Sequence, residues 1–274
     1  MTSSEMEIDV DFSAEHYKLL KEESKTRFLR SSLAFLNAHN GWRKGKLHVF
    51  LGKTSGGKST LMRTLLADSL DAAQEGKKIG LILSEETKID FLNEFNWSGK
   101  FTELAKKLKV ASEKDYPQLK NRDNWLKLTK RMVDEGCQVI FHDNPTTSAV
   151  YGSDFKSQTE MAHVYKDLAK AANIPIVLFA HTNRVNENHA SLISEDDIRG
   201  SKELVNLAEF FYILQTFNVE NKKHTFLRIV KNRGQDIENY NYKLNYIPEF
   251  RAYLDVDTVN FSEIKEIFKK RNKL

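Results

Sequence analysis

The sequence predicts an α/β protein with a mostly parallel central sheet and helices on both faces. After Gly45, short β-branched or leucine-rich runs alternate with longer helical stretches, the texture of strands buried on both sides and joined by helical crossovers. One run, Leu47-His48-Val49-Phe50-Leu51, passes straight into a glycine-rich stretch and then into a helical pattern. The composition agrees: 40% hydrophobic and 29% charged residues over 274 positions allow one large core, and 12 Gly and 4 Pro exclude a collagen-like or Pro/Gly-rich disordered chain.

Taken in order, Glu5, Glu7, Asp9 and Asp11 make residues 1–12 an acidic, disordered tail. From Ser13 to Ala38, Tyr17, Leu20, Phe28, Leu33, Phe35 and Leu36 recur at helical spacing until Gly41 stops the pattern, so 13–41 is expected to form linker or docking helices. The main domain is expected over 42–256. Its candidate strands are Lys46 to Leu51, Lys78 to Leu83, Gln138 to Phe141, Ile174 to Ala180, Phe210 to Gln215 and Thr225 to Val230. Tyr242 to Tyr246 and Phe250 to Leu254, split by Ile247-Pro248-Glu249, read as a closing β-hairpin. Residues 257–274, with Lys265, Lys269, Lys270, Arg271 and Lys273, read as a basic terminal helix or tail.

Several classes drop out. A single cysteine, Cys137, forbids an intrachain disulfide and a cysteine-based zinc site. The longest clean apolar stretch, Ile174 to Ala180, is too short to cross a bilayer, and the amino terminus opens acidic, so a cytoplasmic protein with no membrane partner is expected. A net charge of +4 permits a nucleic-acid partner without demanding one.

The glycine-rich stretch is Gly52-Lys53-Thr54-Ser55-Gly56-Gly57-Lys58-Ser59, a complete G-x-x-x-x-G-K-[ST] loop between a strand and the helix that starts near Thr60. Glycines let backbone N–H groups curl round phosphate oxygens, and the helix start turns its positive dipole end to the same anion. Lys58 is expected to reach the β- and γ-phosphates of a nucleoside triphosphate, and the Ser59 hydroxyl to ligate Mg²⁺.

A magnesium site of this kind needs a carboxylate at the end of another buried strand. Asp143, directly after Val139-Ile140-Phe141-His142, supplies it; an Asp opening the Asn144-Pro145 turn is the competing reading. The second strand ends in Ser84-Glu85-Glu86, which delivers a carboxylate to the carboxyl edge of the sheet, where open α/β folds place ligands. Glu85 is expected to polarise the attacking water, with Glu86 its rival. The run ending at Ala180 brings His181, Thr182, Asn183 and Arg184 to the same edge, where His181 is either a γ-phosphate sensor or a structural histidine.

The order of these motifs resembles the RecA-like ATPase core of DnaB-type replicative helicases, with KaiC-type ATPases as close relatives. The similarity runs from about Arg30 to Leu254: the phosphate loop, Ser84-Glu85-Glu86, Asp143, and His181-Thr182-Asn183-Arg184 where such helicases show a Gln-Leu-Asn-Arg-like stretch. Asp197-Ile198-Arg199-Gly200-Ser201, Lys231-Asn232-Arg233-Gly234 and the Lys243 to Tyr253 hairpin follow in the family's order.

The resemblance implies a RecA-like P-loop NTPase core with a C-terminal β-hairpin, using ATP and Mg²⁺. It implies a homo-oligomer, a hexameric ring, that moves on single-stranded DNA in replication and meets a loader or primase. Lys58, Glu85, His181, Lys231 and Arg233 then act in hydrolysis, with Lys231 and Arg233 reaching into the next subunit's site. Two loops, about Ser148 to Ser157 and Val185 to Ser201, face a central channel, with Arg199, Ser201 and Lys202 as the nucleic-acid contacts. The acidic residues Glu187, Glu195 and Asp196 favour the other reading, a surface loop. Three features depart from the family pattern: His181 stands for the usual glutamine, Asn-Pro follows Asp143, and no helical collar precedes the linker segment. A KaiC-like ATPase that controls a protein partner, or a recombination ATPase, is the alternative.

Other constellations are structural. His39, His48 and His142 show no metal-ligand spacing, Cys137 reads as a small core residue, and Trp97 and Trp125 as cover for the sheet.

Overall fold

The computed structural model describes residues 28–29, 31–38, 41–95, 105–183, 192–220, 222–233 and 240–271. The strands are β1 (Phe28–Leu29), β2 (Trp42–Arg43), β3 (Leu47–Gly52), β4 (Lys78–Leu83), β5 (Leu108–Ser112), β6 (Cys137–Asp143), β7 (Ile176–His181), β8 (Phe210–Val219), β9 (Lys222–Asn232), β10 (Asn241–Ile247) and β11 (Ala252–Thr258). The helices are α1 (Ala34–Asn37), α2 (Lys58–Ala72), α3 (Lys88–Phe95), α4 (Arg122–Asp134), α5 (Phe155–Ala172), α6 (Glu203–Leu207) and α7 (Phe261–Arg271).

Nine strands form one sheet in the order β11-β10-β9-β8-β3-β7-β6-β4-β5. Its β8 to β5 half is parallel, and β9, β10 and β11 extend it as an antiparallel meander. Side chains alternate across a strand, so β3 feeds two cores at once. Phe50 packs with Trp42, Leu65, Phe141 and Tyr212 beneath α2, while Leu47, Val49 and Leu51 pack with Trp125, Tyr165 and Leu178 beneath α4 and α5. Every residue of β3 is buried, as a strand covered on both faces requires. A third cluster seats α7 through Ile264 and Phe268 on Phe217, Val219 and Phe226.

The expected architecture is observed, with differences at its edges. β5 carries no strand signal in the sequence because Leu-Lys-Val-Ala-Ser is short and lysine-bearing; as an edge strand paired only with β4 it needs one buried side. β8 and β9 run on past Gln215 and before Thr225 as a long hairpin. In the last hairpin, Pro248–Phe250 is a 3-10 turn and the closing strand starts at Ala252, since Pro248 has no N–H to give to the ladder. The stretch expected to be helical from Ser13 to Ala38 is a strand at Phe28–Leu29, paired with Trp42–Arg43, followed by the short α1; its earlier part and the 1–12 tail lie outside the described residues. Among the described residues no helix is long and apolar enough to cross a membrane.

Candidate nucleotide site

Register brings the predicted residues to one place. At the carboxyl edge Gly52 pairs with His181, Asp143 with Phe179, and Leu83 with Asp143, so the ends of β3, β7, β6 and β4 stand side by side. Gly57 opens α2 at φ 91°, and no side chain caps the helix, so its first-turn N–H groups face the loop.

Lys58 is buried, and its Nζ donates to the Lys53 carbonyl at 3.0 Å and contacts His181 Nδ1 at 2.8 Å. An ammonium only donates, so Nδ1 accepts and the ring proton sits on Nε2, which lies 3.2 Å from Glu85 Oε1. Lysine, histidine and glutamate thus form one hydrogen-bonded chain from the phosphate loop to the end of β4. The hydrogen bond from His181, with help from Thr147 and Asn144, holds the Glu85 carboxyl down at about 2. His181 is fixed from behind, its N–H donating to Thr146 Oγ1 at 3.1 Å and its carbonyl accepting from the Arg199 N–H at 2.8 Å.

Glu86 points elsewhere. Arg63 of α2 holds it at 3.2 Å and also holds Glu94 of α3 at 2.7 Å, with the Phe91 ring against the guanidinium. Burial raises its carboxyl, and Arg63 offsets part of that. Of the two rivals, Glu85 is therefore the one that faces the loop.

Burial lifts the Asp143 carboxyl to about 7, with Lys58 pulling down and Glu85 and Glu86 pushing up. The Ser59 hydroxyl is exposed in the first turn of α2. These two oxygen donors fit a hard cation that takes its remaining ligands from phosphate and water. Among the described residues no group of three or more His, Cys, Asp or Glu could hold a metal ion.

The end of β8 and the closing strand β11 reach the loop and its helix as well, which the sequence motif does not reveal. Thr216 Oγ1 donates to the Gly56 carbonyl at 2.9 Å, and the Tyr253 N–H donates to Thr64 Oγ1 at 3.0 Å. A Cβ on Gly57 would lie 2.2 Å from the Tyr253 hydroxyl, and one on Gly56 2.9 Å from the Lys53 carbonyl. Both glycines are required by close approach, and Gly57 also by its positive φ.

Lys231 and Arg233 stand at the opposite edge. β9 runs antiparallel to β8, and Lys231 pairs with Phe211 where β8 begins, whereas Gly52 pairs with Leu214. Lys231 Nζ donates to the carbonyls of Val205 at 2.7 Å and Asn206 at 3.0 Å, and Arg233 Nη2 to Asn206 at 3.1 Å, so both cations cover the C-terminus of α6.

A cavity of about 800 Å³ beside the site is lined by Thr147, Ser148, Tyr151, Asp154, Gln158 and Arg199, among others. Of the expected nucleic-acid contacts, Arg199 lines it. Ser201 is fully buried, its hydroxyl 3.0 Å from that of Thr159 and accepting from the Glu203 N–H, and Lys202 is paired with Asp196 at 2.7 Å. Arg184 and residues 185–191 of the second loop lie outside the described residues, as do His39 and Trp97. The remaining histidines are structural: His48 stacks on Phe210 and His142 bonds to Tyr165, both fully buried.

The sheet order and the position of the phosphate loop are those of the RecA-like fold, and solved structures share that fold. A KaiC-like protein from the hyperthermophilic archaeon Pyrococcus horikoshii OT3 superposes with a TM-score of 0.64 at 16% identity, over 84% of this chain and 99% of that one. A DnaB-like replicative helicase, described with its interactions with primase, superposes with a TM-score of 0.70 at 13% identity, over 91% of this chain and 68% of that one. No protein-family model and no curated protein matches the sequence.

Proposed function

We propose that the chain binds ATP with Mg²⁺, hydrolyses it to ADP and phosphate, and couples hydrolysis to movement on single-stranded DNA as a ring of like subunits. The observation that carries the hydrolytic part is the Lys58–His181–Glu85 chain, which joins a complete phosphate loop to an unprotonated carboxylate at the same sheet edge.

The chemistry follows from these residues. Lys58 exchanges the Lys53 carbonyl and His181 for phosphate oxygens, and the amides at the start of α2 cradle the β-phosphate. Release of Lys58 frees His181 Nδ1, while the Nε2–H keeps Glu85 oriented. Glu85 accepts a hydrogen bond from the attacking water; as a weak base it orients the water and takes the proton only as the new P–O bond forms and the bond to the bridging oxygen breaks. Ser59 and Asp143 would hold Mg²⁺, which supplies positive charge to the β- and γ-phosphate oxygens. Lys231 and Arg233 stand off from their own loop: the Phe211 partner of Lys231 lies three residues of β8 from the Leu214 partner of Gly52, about 10 Å at ~3.3 Å per residue, and both side chains are held on α6. In the proposed ring they would serve a neighbour's.

The motor reading draws on the Arg199-lined cavity next to His181, through whose carbonyl the second loop is tied to the site. A loader or primase is the partner class it implies. Neutralisation of Lys202 by Asp196 favours a second reading, a KaiC-like ATPase whose nucleotide state controls a protein partner. Phosphate release by purified protein, with and without an oligodeoxynucleotide at low salt, separates them. The motor reading expects faster turnover with the oligonucleotide and none in Lys58→Ala. No stimulation and no DNA binding, with nucleotide-dependent and nuclease-resistant capture of a protein, would favour the second.

A further inference from the structure

Beside the nucleotide site lies a chain of buried polar side chains that hydrolysis does not use. The Tyr165 hydroxyl is 2.9 Å from His142 Nδ1, and His142 Nε2 is 2.9 Å from Ser84 Oγ. Ser84 donates to Glu113 Oε1 at 3.2 Å, the Ser148 hydroxyl donates to the same oxygen, and the Ala149 N–H donates to Oε2 at 3.4 Å. The proton order is determined. Burial keeps His142 neutral, with its pKa down at about 3, so it carries one ring proton. Ser84 spends its own proton on Glu113, so Nε2 donates to Ser84 and Nδ1 accepts from Tyr165.

These side chains adjoin the working residues. Ser84 immediately precedes Glu85, His142 immediately precedes Asp143, and Ser148 and Ala149 belong to the turn that walls the Arg199 cavity. Glu113 follows the edge strand β5, is 3% exposed, and is the only member that touches both the end of β4 and that turn. A carboxylate buried this deeply is costly unless its oxygens are bonded, and here the bonds go to the strand end at Ser84, which the β4–β6 ladder also holds, and to the turn at Ser148 and Ala149, which lies beyond that ladder.

We propose that Glu113 is a positioning residue: it ties the turn at 148–151 to Ser84, so that displacement of the cavity wall shifts Glu85 against the phosphate loop. The inference rests on the hydrolytic reading of Glu85 and gives that reading a route by which occupancy of the cavity sets the rate.

The test compares wild type, Glu113→Gln and Ser148→Ala. Glutamine keeps the volume and an acceptor for the hydroxyls but loses the charge that holds two hydroxyls and an amide together. Ser148→Ala removes the hydroxyl that ties the turn to Glu113 and also caps the Val150 N–H, so in that variant the exchange at Ala149, Ser84 and Glu85 is decisive; Glu113 stays bonded to Ser84, which guards against a variant that fails to fold. In both, kcat should fall about tenfold while KM for MgATP stays within about twofold, because phosphate binding is untouched. Hydrogen exchange should rise about tenfold at Ala149 and Val150 and at Ser84 and Glu85, and stay unchanged over 58–66. Unchanged exchange at both segments would overturn the proposal, and so would a uniform rise across the sheet in both variants, which would mark Glu113 as serving the fold alone. If wild type hydrolyses nothing, the hydrolytic reading fails by itself, and the exchange comparison still decides whether Glu113 ties turn to strand.

Discussion

The two edges of the central sheet carry opposite kinds of chemistry. At the carboxyl edge, four strand ends bring Gly52, Glu85, Asp143 and His181 together, and His181 bonds to Glu85 within the chain. At the amino edge, Lys231 and Arg233 donate to the carbonyls at the end of α6, away from their own phosphate loop. The first edge is complete as a binding site. Under the proposed hydrolytic reading, the second edge would act if another copy presents its carboxyl edge to it, which would tie turnover to assembly.

The largest expected effect comes from emptying the complete edge. Lys58→Ala should lower phosphate release to background, on the order of 10³-fold or more, because the cation that meets the phosphates is gone. Arg233→Ala should cost nearly as much in kcat, also on the order of 10³-fold, while leaving nucleotide affinity unchanged. Mixing the two variants breaks or sharpens the contrast directly. If the amino edge acts on a neighbour, a mixed assembly regains part of the activity, because some interfaces pair an intact loop with an intact arginine; strictly additive inactivity would refute action between subunits.

A smaller effect is expected at the loop's contact with the meander. Gly57→Ala puts a Cβ against Tyr253 at a positive φ, and should lower stability by about 1–3 kcal/mol in a urea titration and weaken nucleotide binding. Pairing it with Tyr253→Ala removes the clash but not the backbone strain, so binding should recover only in part.

The last effect is global and builds up over several pH units. His48 and His142 are buried neutral, each with its pKa lowered by desolvation from 6.5 to about 3. The unfolded chain therefore binds more protons than the folded one between those values, and stability is lost as pH falls from 6.5 toward 3, by at most about 1.4 kcal/mol per pH unit for each histidine. Denaturant midpoints across that range check it, and His48→Phe should flatten the acid limb.

Much of the carboxyl edge was legible in the sequence. The phosphate loop announces itself because its glycines, lysine and serine answer to one local backbone path, and Asp143 and Glu85 follow from their place at the ends of apolar runs. What could not be read depends on contacts between distant segments. Glu86 differs from Glu85 only through Arg63 of another element. Tyr253 sits beside Gly57 only because the meander folds back over α2, and Glu113 follows a strand with no strand signal. Ser201 is expected as a nucleic-acid contact through the resemblance alone, but its hydroxyl is spent inside on Thr159 and the start of α6. The cis peptide between Asp143 and Asn144 likewise leaves no trace in composition or spacing.

The most direct measurement is a calorimetric titration of the folded protein with ATP, with and without Mg²⁺, in wild type and Lys58→Ala. Saturable heat at one nucleotide per chain, strengthened by Mg²⁺ and lost in the variant, is the predicted result. Folded wild type that gives no heat with MgATP would contradict it, and the roles assigned to Glu85, His181 and Arg233 would fall with it.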